Sequence, residues 1–107
     1  MLKVAFHVNE PEKWSVALGN IRNLLKETQE ADIKLVVNGG AITGYLNSIL
    51  VAEMTQESQS VSFEACQNAL DGHEIKVAQL PIWVNVVPAG VIRLIELQQV
   101  GYAYIKP

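Results

Sequence analysis

Cys66 is the only cysteine in the chain, and it stands where a thiol could react. It closes an alternating run, Val61-Ser62-Phe63-Glu64-Ala65-Cys66, and opens a helical turn, Gln67-Asn68-Ala69-Leu70. The first N–H groups of such a turn have no intrahelical acceptor, and its positive end favours a thiolate. Thiolate is the reactive form of cysteine. Strand alternation puts Glu64 on the same face as Cys66, and a carboxylate close to the sulfur opposes ionisation. The competing reading is a buried, inert thiol. His7 and His73 are the two side chains that could act as its base, because a Cys–His pair is a nucleophile with its proton acceptor. Against this, His7 could simply pack in a sheet, and His73, after Gly72, could simply be exposed.

A second candidate is the turn Asn38-Gly39-Gly40, which precedes a helical pattern. A helix N-terminus after Gly-Gly can hold an anion. The segment lacks Gly-Lys-Ser/Thr and G-x-G-x-x-G, so a tight turn and close packing explain the glycines equally well. One Cys and two distant His give no metal-ligand spacing, and neither metal nor organic cofactor is expected. No pair of acidic residues suggests carboxylate catalysis, and most of them read as solvated surface. Trp14, Tyr45, Trp83, Tyr102 and Tyr104 read as core or interface aromatics.

These residues need a scaffold, and 107 residues make one domain, 1–107. A chain of this size buries roughly two-thirds of its unfolded surface, enough for a core without disulfide or metal. Hydrophobic residues are 50 % and charged residues only 18 %, against a usual value of ~25 % charged. Either some apolar surface meets a partner or the fold buries its strands on both faces, and an oligomer is the expectation. The net charge is −3 with eight unclustered basic residues, which argues against nucleic-acid binding. No apolar run reaches the ~20 residues of a membrane span, and Met1 to His7 does not read as a signal peptide. The expected location is cytoplasmic. A single cysteine excludes an intramolecular disulfide.

Strand and helix patterns alternate along the chain. Leu2 to Val8 is a β-rich apolar run, and Asn9 with Glu12 fits a capping box beside Pro11. Trp14, Ala17, Leu18, Ile21, Leu24 and Leu25 form one helical stripe, through about Gln29. Ile33 to Val37 is a second strand. A helix from near Ala41 carries Ile42, Tyr45, Leu46, Ile49 and Ala52. Val61 to Cys66 is the third strand, and a helical turn from Gln67 stops at Asp71-Gly72. His73 to Gln79 suggests another short helix. Trp83 to Val87 is the fourth strand. Val91, Ile92, Ile95 and Val100 mark the last helix, with Leu94 and Leu97 widening its apolar face, and Tyr102 to Ile105 is the fifth strand.

This alternation predicts βαβ units and a parallel sheet. Right-handed crossovers then bring all strand C-termini to one edge, where α/β proteins bind ligands. The residues to inspect there are His7 to Asn9, Asn38 to Gly40, Cys66 to Asn68 and Pro88 to Gly90. Val36-Val37-Asn38-Gly39-Gly40 and Val86-Val87-Pro88-Ala89-Gly90 echo one another, as two βα turns of the same chemistry.

Val61 to Leu70 resembles the cysteine segment of the DsrE/DsrF-like family. Three further segments carry the same resemblance: Phe6-His7-Val8-Asn9-Glu10 with Trp14, Val86 to Val91, and Gln98 to Pro107. Together they span nearly the whole chain and match the small, stand-alone branch. The resemblance implies a three-layer α/β/α sandwich of flavodoxin-like topology, with a five-stranded, mainly parallel sheet. It implies homo-oligomers, trimers or hexamers. It also implies sulfur relay, with Cys66 accepting sulfane sulfur as a persulfide and passing it to a partner thiol. In that reading His7, Asn38, Gly39, Gln67, Asn68, Pro88, Ala89 and Gly90 line the pocket. The chain departs from the family pattern at Ala69, where a serine hydroxyl is missing beside the thiol. The alternative is a non-catalytic module that binds a small anion or serves assembly, with Cys66 as a pocket wall. A redox-sensing thiol ranks third.

Overall fold

The structure is a computed structural model and describes residues 1–28 and 30–107. Five strands form one sheet: β1 (Leu2–Val8), β2 (Ala31–Val37), β3 (Val61–Cys66), β4 (Asn85–Val87) and β5 (Ala103–Ile105). Their order is β4-β3-β2-β1-β5, and every pairing is parallel. Four α-helices connect them: α1 (Trp14–Glu27), α2 (Ser48–Glu57), α3 (Gln67–Gly72) and α4 (Gly90–Gln99). This is the expected α/β class. The direction of travel reverses after β4, whereas flavodoxin itself has the order 2-1-3-4-5.

The connections explain the layers. β1 to β4 step across the sheet in one direction, so right-handed crossovers lay α1, α2 and α3 on one face. The return from β4 to β5 runs the other way and lays α4 on the opposite face. The first face holds the main core, in which Val4, Phe6, Ile33, Leu35, Phe63 and Ala65 meet Trp14, Leu18, Ile21, Ile42, Tyr45, Met54 and Leu70. The second face holds a small core of Ala5, Val36, Leu94 and Leu97 with Tyr102 beside it. One helix cannot cover five strands: Glu64 lies buried beneath α4, while Lys3, Asp32, Lys34, Ser62 and Asn85 share the same face.

Several local expectations change. The α1 stripe packs Trp14, Ala17, Leu18 and Ile21 inward, while its expected end at Gln29 lies outside the described residues. No Asn9 capping box forms: Pro11–Lys13 is a 3-10 turn entered from Glu10, and Asn9 Oδ1 finds no partner among the described residues. The helix expected from Ala41 is two elements, a 3-10 helix over Gly39–Leu46 and then α2. Asn47 causes the break, because its side chain accepts from the N–H groups of Ile49 and Leu50 and so caps α2. The 3-10 segment lies against Trp14, whose Nε1 donates to the Ala41 carbonyl at 2.8 Å. At Gly44 a Cβ would fall 2.1 Å from that same Nε1, so only glycine fits.

Of the helix expected over His73 to Gln79, only a 3-10 turn at Val77–Gln79 forms, after Glu74 turns the chain at φ 56°. β4 is shorter than expected, since Trp83 leaves the strand and packs on Phe63 with ring centroids 5.2 Å apart. α4 buries Gly90, Leu94 and Leu97 and leaves Val91, Ile92 and Ile95 exposed. The helix is apolar on two sides, and helical periodicity alone does not choose between them.

Candidate functional site

Cys66 ends β3, and the sheet order sets its neighbours. β2 lies on one side and β4 on the other, so the turns after those strands flank the thiol. Register pairs Val37 with Ala65 and Cys66 with Val87, which brings Asn38 and Gly39 to one flank and Ala89 and Gly90 to the other. The two echoing turns therefore meet across Cys66. A Cβ built on Gly90 would lie 3.2 Å from Asn38 Cβ, 3.3 Å from Asn38 Nδ2 and 3.5 Å from Cys66 Cβ. Glycine here lets α4 start hard against the thiol.

β3 leads into α3 on one face, and its neighbour β4 leads into α4 on the other. Diverging exits of this kind open the crevice in which α/β sheets bind ligands. The crevice is a cleft of about 440 Å³ lined by Asn38, Gly39, Cys66, Asn68, Ala69, Gly72, His73, Ala89, Gly90 and Val91. Cys66 is only 6 % exposed, so a reagent reaches it through this cleft. The residue is the N-cap of α3, extended in conformation, and its side chain makes no capping hydrogen bond.

Three residues expected in the lining are elsewhere. The Gln67 side chain donates to Asp71 along α3 at 2.9 Å. Pro88 faces a separate depression with Ile92, Arg93 and Glu96. His7 sits on β1 with β2 between it and Cys66, and both of its ring nitrogens are engaged. Nδ1 lies 2.6 Å from the Tyr104 hydroxyl and Nε2 lies 2.8 Å from Asn38 Oδ1. No Cys–His pair forms through His7. His73, by contrast, does reach the cleft. The contribution of Ala69, Gly72 and Val91 to the lining follows from the approach of α3 and α4, which the sequence alone does not fix.

Glu64 is an exception to the solvated surface expected of most acidic residues. It is 2 % exposed, beneath α4. Arg93 donates from Nε at 2.7 Å and from Nη2 at 3.0 Å to its two oxygens, and the Ser62 hydroxyl adds a third bond. Donating to Glu64 holds the Arg93 guanidinium above its ordinary range. On the other face the Tyr45 hydroxyl donates to the Glu64 carbonyl at 2.9 Å, and burial first, then the Glu64 charge, pushes its phenol well up. The Glu64 charge therefore faces Arg93 and is compensated there.

On either side of the Gly39-Gly40 pair the backbone N–H groups are already engaged. The Asn38 N–H bonds the Val8 carbonyl and the Ala41 N–H bonds the Asn9 carbonyl. Among the described residues no group of three His, Cys, Asp or Glu could hold a metal ion, and no helix is long and apolar enough to cross a membrane.

Fold and cleft together define a class, a parallel α/β protein with one thiol at the divergent exits of two neighbouring strands. The chain belongs to the DsrE/DsrF-like family, whose family model matches residues 3–107. It is similar to a protein of unknown function, MTH1491 from Methanobacterium thermoautotrophicum, at 26 % identity and a TM-score of 0.92, with both chains covered in full. It has the fold of the ychN protein from E. coli, at 17 % identity and a TM-score of 0.82, again over both whole chains. No curated protein matches the sequence.

Proposed function

We propose that this chain is a sulfur-relay protein that carries sulfane sulfur on Cys66. The observation that supports this most is the position of the chain's only cysteine, at the cleft formed by the β3 and β4 exits, in a member of the DsrE/DsrF-like family. In the loading step the Cys66 thiolate attacks the outer sulfur of a donor persulfide. The donor S–S bond breaks, the donor leaves as a thiolate, and a new S–S bond forms on Cys66. In the unloading step an acceptor thiolate attacks that outer sulfur and Cys66 leaves as the thiolate. No net oxidation occurs and no cofactor is required. The protein works in the cytoplasm, where a lone thiol stays reduced. It works as a homo-oligomer whose contact includes the exposed apolar side of α4.

The test is the intact mass after incubation with inorganic polysulfide, beside Cys66→Ser. The expected result is a gain of one sulfur atom, reversed by a thiol reductant and absent from the variant. An equal gain by Cys66→Ser, or none by the wild type, overturns the proposal.

A further inference from the structure

His7, Asn38 and Tyr104 come from three adjacent strands or their ends, β1, β2 and β5, and form one hydrogen-bonded chain. The donor order follows from the inventory of each group. The Asn38 Oδ1 atom only accepts, so His7 Nε2 carries the proton and donates to it at 2.8 Å. The remaining nitrogen of a neutral imidazole, Nδ1, then accepts, and the Tyr104 hydroxyl donates to it at 2.6 Å. The Asn38 amide is thereby held with Nδ2 turned away from His7. The hydrogen bonds of the described residues use only Oδ1 of this side chain. Nδ2 faces the Gly90 corner of the cleft, where a point 3.3 Å from it is also 3.5 Å from Cys66 Cβ.

We infer that Tyr104 and His7 act as a positioning relay, which fixes the Asn38 amide so that its Nδ2–H group donates to an anionic sulfur on Cys66. This rests on the reading of Cys66 as the sulfur-bearing residue and adds what holds that sulfur. A hydrogen bond from a neutral amide to a charged acceptor is strong, and it stabilises thiolate and persulfide anion against their protonated forms. His7 thus serves the site through Asn38, with no contact to the sulfur. Of the other titratable groups around it, His73 lines the cleft, Glu64 is already paired with Arg93, Asp71 on α3 accepts from Gln67, and Glu10 and Lys106, which follow β1 and β5, lie 3.8 Å from each other.

The relay is tested by the pH profile of Cys66 alkylation with iodoacetamide, which needs no sulfur donor. Asn38→Ala raises the midpoint by about one pH unit, a tenfold loss of thiolate below it. His7→Phe moves it the same way, His7→Gln restores it by offering an N–H near the Nε2 position, and Tyr104→Phe, which removes one oxygen from an outer side chain, gives a smaller rise. Nitrogen NMR of the wild type shows the Nε2–H tautomer of His7. Unchanged midpoints in Asn38→Ala and His7→Phe, an Nδ1–H tautomer, or a wild-type thiol that is not alkylated at any pH overturn the inference. If the midpoints shift but the wild type takes no sulfur from polysulfide, the sulfur-relay reading fails and the positioning relay stands.

Discussion

Arg93 grips the buried carboxylate of Glu64 with two parallel hydrogen bonds, 2.7 and 3.0 Å long, and so ties α4 to β3 two residues before Cys66. A two-pronged guanidinium–carboxylate contact fixes geometry as well as charge. α4 begins at Gly90, on the wall of the cleft, so the ion pair helps set how closely that wall approaches the thiol.

Arg93→Ala leaves Glu64 buried without its cation. The expected loss is about 2–3 kcal/mol, below the range for a fully buried pair because the Arg93 side chain is 30 % exposed. The double variant Glu64→Leu, Arg93→Leu loses less, since an apolar pair has no charge to desolvate. Urea unfolding of the two variants checks the ranking.

Gly90→Ala narrows the cleft. The new methyl group meets Asn38 at 3.2 Å and Cys66 at 3.5 Å. The chain still folds, because these contacts are tight but not forbidden, and labelling of Cys66 by a maleimide slows several-fold. Labelling as fast as in the wild type would show that the thiol is reached from another side.

Tyr45 sets an alkaline limit on stability. Its folded pKa is raised, first by burial and then by the Glu64 charge. The stability that comes from keeping the phenol neutral is complete below the ordinary tyrosine value of ~10 and is lost as pH rises through the raised folded value. Tyr45→Phe costs about 1 kcal/mol at neutral pH through the lost bond to the Glu64 carbonyl. The variant has a flatter alkaline limb, measured by thermal unfolding against pH.

Asp32 acts at the acid end. The Tyr102 hydroxyl lowers its pKa, helped by Lys34 and Lys3, against a smaller opposing effect of burial. Its contribution is present above the ordinary aspartate value of ~3.9 and is lost as pH falls through the lowered folded value. Tyr102→Phe removes the largest cause, so its stability depends less steeply on pH in that range. An acid limb as steep as the wild type's would rule out this role for the pair.

The outer side of α4 carries Val91, Ile92 and Ile95, with Ile92 58 % exposed. If this side is buried between copies, Ile92→Asp with Ile95→Glu sediments as a monomer where the wild type sediments as a trimer or hexamer. A wild-type monomer at micromolar concentration would remove the self-assembly part of the proposal.

The sequence determined the elements, because their signals are local. β1 and β3 begin and end where the apolar runs do, Gly and Pro mark most of the turns, and alternation alone predicts a parallel sheet with Cys66 at its carboxyl edge. The breaks within the second helical pattern are local too, but they depend on competition. Asn47 caps α2 instead of continuing a helical stripe, and Gly44 yields to the Trp14 ring. Strand order is different in kind. It comes from which strands pair across many residues of chain, and only that order puts the Asn38 and Gly90 turns on either side of Cys66 while β2 separates Cys66 from His7. The same holds for Glu64 and Arg93, 29 residues apart, each an ordinary surface type until α4 returns across the sheet and desolvates the pair. A buried charge is stable only beside its partner, and that partner is chosen by tertiary packing.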